Sequence, residues 1–216
     1  MKHTLLAMSL ALAALAAQAG DLQVSVIDKE GKPVQDAVVV IVPATKGTPK
    51  AAVPTQITIN QEKMRFTPAV SLIATGGKAR FVNNDPWEHH VRASAAGVGQ
   101  FNSGAGEGFE LRLDGKAEGK AAKTADATFD KAGAVLLGCH LHSSMRGHVY
   151  VSDSPWAAVT NAEGIVTLEG VPNGSVQVRV WHADQLIDIP TQQLTLTAAP
   201  AEAKAQLNVV PRRRRI

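Results

Sequence analysis

The chain has 216 residues and a formal net charge of +3 at pH 7, which leaves room for one large or two small domains with a hydrophobic core and gives no support to nucleic-acid binding. With 45% hydrophobic and 19% charged residues, the sequence is neither a disordered chain nor a multi-span membrane protein. The single cysteine excludes an intramolecular disulfide and a zinc site made of cysteines alone.

Residues 1–19 have the pattern of a secretory signal peptide. Lys2 and His3 precede an apolar run over 5–15, and Ala17-Gln18-Ala19 supplies a small-residue cleavage site. The run is too short to span a bilayer, and no later stretch is long and apolar enough to do so. We therefore expect cleavage after Ala19, export to the periplasm, no transmembrane span, and a mature net charge of +2 because Lys2 is lost.

The rest of the chain alternates apolar and polar residues with a period of two, which predicts β-strands. Strands are expected at 22–27, 38–42, 70–74, 79–83, 109–113, 127–129, 135–139, 149–151, 164–168, 175–181, 194–197 and 205–210. Short strands at this spacing predict an all-β sandwich or barrel. A glycine-rich stretch over 96–108 is expected to be a loop, and 115–126 is either a short helix or a mobile excursion.

One short segment carries three side chains that are typical metal ligands. Two residues separate Cys139 from His142, and two more separate His142 from Met145. A thiolate, an imidazole and a thioether suit copper that alternates between its two oxidation states. A strand ending at Cys139 and followed by a tight loop can bring all three to one ion. The alternatives are a buried core thiol for Cys139 and simple packing for Met145.

A second imidazole is available upstream, where a predicted strand and turn lead into His89 and His90. Successive side chains of a strand face opposite sides, so only one of these two histidines is expected to enter the site. The residues alone leave both open. The remaining histidines of the mature chain are expected to face outward or to be structural: His140, His148 and His182.

Both segments resemble the cupredoxins, the small blue-copper proteins such as plastocyanin and amicyanin. Residues 83–91 show two asparagines, four further residues and then His-His-Val, as plastocyanin-like sequences do with His-Asn-Val, whereas the short loop over 139–145 is closer to amicyanin. The resemblance implies a Greek-key β-sandwich, an upstream ligand at position 89, and a surface-reaching imidazole at position 142 through which electrons pass. The implied ligands of one mononuclear type-1 copper are His89, Cys139, His142 and Met145.

This chain departs from the cupredoxin pattern at one position. His90 stands where many cupredoxins have asparagine, so the usual side-chain tether between the two ligand loops is expected to change. The geometry and the reduction potential of the site therefore stay open.

The regions on either side of the copper motifs resemble another fold. Residues 24–40 and 160–181 are similar to the two halves of a carboxypeptidase regulatory-like (transthyretin-like) β-sandwich, and the whole chain resembles the cupredoxin-like proteins often labelled methylamine utilization proteins. We predict a copper domain inserted in a discontinuous sandwich; the alternative is one larger sandwich with extra strands. The predicted parts are a signal peptide (1–19), the first part of the regulatory-like sandwich (20–43), the cupredoxin copper domain (44–152), the second part of the regulatory-like sandwich (153–210) and a basic tail (211–216).

The function predicted from these motifs is a periplasmic one-electron carrier with transient protein redox partners, and not an enzyme. The alternatives are a copper-handling protein that stores, delivers or senses the metal, and a metal-free binding β-sandwich. A multicopper enzyme would need further sites built mainly from histidine, which the few remaining histidines do not supply. The run Arg212–Arg215 is expected to be either a solvated end or a weak electrostatic contact with an acidic partner or a lipid surface.

Overall fold

The computed structural model describes residues 19–97 and 108–212. Every element of regular secondary structure named in these ranges is a β-strand. The first eight are β1 (Ala19–Ile27), β2 (Val38–Pro43), β3 (Gln56–Glu62), β4 (Arg65–Thr67), β5 (Val70–Ala74), β6 (Gly77–Asn83), β7 (His89–Ala95) and β8 (Glu110–Leu113). The others are β9 (Lys123–Phe129), β10 (Gly133–Cys139), β11 (Arg146–Ser152), β12 (Trp156–Val159), β13 (Ile165–Pro172), β14 (Gly174–Trp181), β15 (Gln192–Leu196) and β16 (Ala201–Gln206).

The predicted all-β class is confirmed by these strands. In the segment 115–126, where a helix was one of two alternatives, the chain instead enters β9 at Lys123. Most of the predicted signal peptide, most of the glycine-rich loop and the last four residues of the basic tail lie outside the described residues. Within the described ranges no helix is long and apolar enough to cross a membrane.

The strands form four sheets. Sheet A has the order β13-β1-β16, sheet B β12-β2-β14-β15, sheet C β4-β3-β6-β9 and sheet D β5-β11-β10-β7-β8. Sheets A and B take their strands from the two ends of the described chain, whereas sheets C and D take theirs from its middle. The division into an inserted and a discontinuous domain stays a prediction.

Two hydrophobic cores follow from the period-two pattern, because alternate side chains of each strand face the same side. Leu22 and Val24 of β1 pack with Ile41 of β2 in the core that joins sheets A and B. Phe81 of β6 and Val149 of β11 belong to the core that joins sheets C and D. Each pair of sheets therefore forms a sandwich around its own apolar layer.

The run of β-branched residues in β2 is buried on both faces, which explains why it does not alternate. Val39 and Ile41 face the core between sheets A and B, whereas Val38 and Val40 belong to a third apolar cluster. That cluster joins sheet B to sheet D and includes Trp181, whose ring lies 5.6 Å from that of Tyr150 and 5.5 Å from that of His148, both on β11. The two sandwiches are thus packed against each other through sheets B and D.

We expect Trp181→Ala to lower the free energy of unfolding by about 3 to 5 kcal/mol, because it leaves a cavity in the apolar cluster between sheets B and D. Trp87→Ala is the matched control: Trp87 is 42% exposed against 6% for Trp181, and we expect a change within about 0.5 kcal/mol. Denaturant unfolding followed by circular dichroism measures both variants. Equal effects of the two substitutions would contradict a packed contact between the sandwiches.

Candidate metal centre

The site is positioned by the antiparallel pairing of β7 with β10. Cys139 is opposite Val91 in this register, and the backbone N–H of His140 donates to the carbonyl of His90 at 2.9 Å. Since β7 begins at His89 and β10 ends at Cys139, both residues lie at the same edge of sheet D. Their side chains face the core between sheets C and D, with 0% and 6% exposure.

The loop after β10 folds back on itself and brings a second imidazole to this edge. The backbone N–H of Cys139 donates to the carbonyl of Met145 at 3.2 Å, and the N–H of Met145 donates to the carbonyl of His142 at 2.9 Å. These bonds close a compact turn between the two residues. His142 is consequently held beside the strand end, where it is half-buried.

Three donor atoms converge in this arrangement. Sγ of Cys139 lies 3.4 Å from Nδ1 of His142 and 3.6 Å from Nδ1 of His89, and the two Nδ1 atoms are 3.2 Å apart. Thiolate and imidazole bonds to a metal are about 2.0 to 2.3 Å long, so two donors of one ion lie within roughly 4.4 Å of each other. His89, Cys139 and His142 are therefore close enough to form a metal site.

Met145 is placed next to this cluster. Its side chain is fully buried and belongs to the same apolar cluster as Cys139. Its carbonyl accepts a hydrogen bond from the backbone N–H of Cys139. That Met145 is the fourth ligand stays a prediction.

The loop that carries His89 is shaped by a buried asparagine. The side-chain amide of Asn83 donates to the carbonyls of Trp87 (2.8 Å), Asp114 (3.0 Å) and Leu113 (3.1 Å), and its Oδ1 accepts the backbone N–H of Asp85 at 3.0 Å. Asn83 is completely buried, so each of these bonds satisfies a group that has lost its water. The loop therefore enters β7 in one fixed conformation.

A buried carboxylate orients the ring of His89. Oδ2 of Asp85 lies 2.8 Å from Nε2 of His89, and the same carboxylate accepts the backbone N–H groups of Lys63 (2.6 Å) and Met64 (3.0 Å). Both of these residues have positive φ, at 52° and 56°, as the two central residues of a type I′ hairpin turn do. Asp85 thus joins the β3–β4 turn to a residue of the site.

These contacts also keep the carboxyl group of Asp85 ionised. Burial raises the pKa of Asp85, but the bonds from Met64, His89 and Lys63 lower it by more, so its pKa lies below the usual value. An ionised carboxylate can only accept hydrogen bonds, so Nε2 of His89 carries the hydrogen. The other ring nitrogen, Nδ1, is then free to bind a metal, and it is the one that faces Cys139.

The remaining histidines lie elsewhere. His90 and His140 follow the site residues directly but face the other side of sheet D, where both are at least partly exposed. His148 packs on Trp181 between the sandwiches. His182 is buried, and its Nδ1 accepts the backbone N–H of Asp184 at 3.1 Å. Of the two adjacent histidines that the residues left open, the structure brings His89 to Cys139.

The supporting roles of Asn83 and Asp85 were not foreseen in the sequence. Asn83 is the last residue of the strand expected at 79–83, and Asp85 lies in the turn that follows it. The usable signal was the position of an acidic residue four places before a candidate ligand, since metal-bound histidines commonly donate their second N–H to a carboxylate.

A scan against protein-family models and a search of curated proteins found no match. Among solved structures, the chain is similar to amicyanin from Paracoccus versutus, with 21% identity over 52% of this chain and 97% of that one and a TM-score of 0.35. It is also similar to a purple cupredoxin from Nitrosopumilus maritimus, with 17% identity over 44% and 99% of the two chains and a TM-score of 0.35.

Amicyanin and the purple cupredoxin belong to the same class of protein as those that the two ligand segments resemble. Both similar proteins are cupredoxins, and they do not bear on the regulatory-like flanks. At such TM-scores the likeness adds nothing to what the sheets and donor atoms of this chain show themselves.

We expect Asp85→Asn to weaken metal binding about 10- to 100-fold, because it removes the charge that holds the ring of His89 and raises the basicity of Nδ1. Competition with a chelator, followed by the thiolate-to-metal absorption of the Cu²⁺-loaded protein, measures the affinity. Asp126→Asn is the matched control, since Asp126 is paired with Arg80 on the surface of sheet C. A loss of affinity of equal size in both variants would contradict a specific role of Asp85.

Proposed function

We propose that this protein is an exported one-electron carrier with a single type-1 copper bound by His89, Cys139, His142 and Met145. The observation that carries the proposal is the convergence of one thiol and two imidazoles from two separately anchored segments. Two of the three side chains are buried. In a metal-free binding sandwich, a buried histidine packed against the single cysteine would serve no evident purpose.

The donor set favours copper over other metals. Two imidazoles and one thiolate with a weak thioether are the ligands of blue-copper electron-transfer sites. When bound there, copper supplies the one-electron chemistry by alternating between Cu(II) and Cu(I). No further group of at least three metal-ligating side chains meets the same spacing among the residues that the structure describes, so the proposal is for a carrier rather than an enzyme.

The residues around the donors support rapid electron transfer because they hold the donors still. Asp85 fixes the ring of His89, and the backbone bond from Cys139 to Met145 fixes the loop after β10. Cys139 binds as a thiolate, so metal binding releases its proton. A donor set that is already assembled moves little when the charge of the ion changes.

Electrons enter and leave the site through the donor that is exposed to solvent. His142 is the one member of the cluster that reaches the surface. Exposed apolar side chains occur on the segments that carry or hold the site. Leu141 directly precedes His142 and is 52% exposed; Trp87, two residues before His89, and Met64, in the turn that Asp85 holds, are exposed as well. A small apolar surface of this kind suits the weak, transient docking of a redox partner.

The predicted location and the basic tail belong to the same proposal. The signal-peptide pattern of residues 1–19 supports export to the periplasm. Within the tail, the backbone N–H of Arg212 donates to Asp184 at 2.8 Å, which holds the start of the tail on the protein surface. We propose that the run Arg212–Arg215 makes weak electrostatic contacts with an acidic partner or a lipid surface.

We expect the full chain to develop intense visible absorption with one equivalent of Cu²⁺, and to lose it in Cys139→Ala, because the band requires a copper–thiolate bond. His89→Ala should lose the band as well, since it removes a buried donor. His90→Ala is the matched control: it removes the adjacent imidazole, which faces the opposite side of sheet D, and should keep the band. Absorption spectra of the copper-loaded full chain and of the three variants measure the band.

The outcomes separate the proposed function from its alternatives. Reversible one-electron reduction of the coloured protein is the result expected of a carrier. Tight, colourless Cu(I) binding without a reversible couple would instead indicate a copper-handling protein. An unchanged band in Cys139→Ala would remove the assignment altogether.

Met145→Leu should keep the visible band and raise the reduction potential. A thioether donates electron density that stabilises Cu(II) more than Cu(I), and the axial ligand is a known determinant of the potential of such sites. Voltammetry of the copper-loaded variant measures the shift, with Met64→Leu as the control, since Met64 is exposed. An unchanged potential in Met145→Leu would show that Met145 packs in the core without binding.

A further inference from the structure

The two histidines that the proposed copper site leaves unused lie together on the opposite face of sheet D. His90 follows His89 in β7, and His140 follows Cys139 at the end of β10. Successive residues of a strand point to opposite faces, so the sequence that sends one pair of donors inward sends a second pair outward. The side chain of His90 is 29% exposed, and His140 is exposed.

The outward pair is close enough to share a ligand. The backbone N–H of His140 donates to the carbonyl of His90, which places the two residues opposite each other, and such residues have Cβ atoms about 4.5 to 5.5 Å apart. The centroids of the two imidazole rings are 5.7 Å apart. Ring nitrogens on facing edges of two such rings can therefore approach one small cation together.

A carboxylate completes the cluster from the neighbouring strand. Oε2 of Glu110 in β8 lies 3.4 Å from Nε2 of His90, a separation that two ligands of one ion adopt when each bond is about 2.0 to 2.2 Å. The other oxygen, Oε1, accepts a bond from Nε of Arg92 at 2.9 Å, which fixes the carboxylate. The second nearby cation, Arg112, is itself paired with Glu88.

We propose that His90, His140 and Glu110 form a second, surface-exposed site for a divalent cation of the Cu²⁺ or Zn²⁺ kind. Their ligand atoms do not all lie within 4.8 Å of one another as the side chains stand, so binding requires the exposed ring of His140 to rotate toward the other two donors. Two imidazoles and one carboxylate are hard-to-borderline donors that suit these ions. The site lies back to back with the buried donors, separated from them by the backbone of β7 and β10. It contains no thiolate, so copper bound there would lack the intense visible band.

A Cu²⁺ titration of the full chain, followed by visible absorption and electron paramagnetic resonance, tests this site. We expect a first equivalent that produces the visible band and a second that adds a separate resonance signal with coupling to two imidazole nitrogens. His90→Asn and His140→Asn should each weaken the second binding step at least about tenfold and keep the visible band. His148→Asn, which removes an imidazole from the same face of sheet D, should leave both steps unchanged.

Glu110→Gln provides an independent variant, since it lies on β8, away from the buried donors. It should weaken the second step several-fold without changing the visible band. A second step that is absent, that is insensitive to both histidine substitutions, or that is lost in only one of them would overturn the proposal. Binding that depends on both histidines in a protein that never shows the visible band would support the surface site and count against the proposed electron carrier.

Discussion

The register between β7 and β10 is the constraint on which the candidate site depends. With Cys139 opposite Val91, the first residue of one strand and the last residue of the other meet at one edge of sheet D and face the same core. A shift of either strand by one residue would turn its own donor to the opposite face and so separate the two side chains. The apolar side chains of Val91 and Leu137, buried in the core between sheets C and D, oppose that shift, so ordinary hydrophobic packing fixes the geometry of the donors.

Register alone places the side chains but does not orient them. Cysteine and histidine in a core would be free to rotate about their side-chain bonds if nothing else held them. The carboxylate of Asp85 removes that freedom for His89, and it does so while satisfying two backbone N–H groups of the β3–β4 turn. A buried charge is costly unless it is fully hydrogen-bonded, and these three bonds explain how the fold tolerates it.

Much of this could be predicted from the sequence, because period-two patterning and ligand spacing are local properties. The strand ending at Cys139 and the choice between two adjacent histidines both followed from such local rules and from the resemblance of the motifs. The role of Asp85 could not be predicted in the same way, since it depends on the β3–β4 hairpin, whose turn comes more than 20 residues earlier. Nor could the double burial of β2, because it arises only when sheet B packs on sheet D.

The same local rule that places the buried donors also constrains what the outer face of sheet D can contain. At both strand ends the residue after a donor is a histidine, and the backbone bond between His140 and His90 aligns the two. In a cupredoxin pattern with asparagine at position 90, that face would present an amide to the neighbouring loop. With histidine there, the contact between the two ligand-bearing segments becomes a pair of imidazoles 5.7 Å apart beside a fixed carboxylate. The departure from the pattern therefore keeps the segments in contact and changes the groups at that contact from an amide to two imidazoles beside a carboxylate.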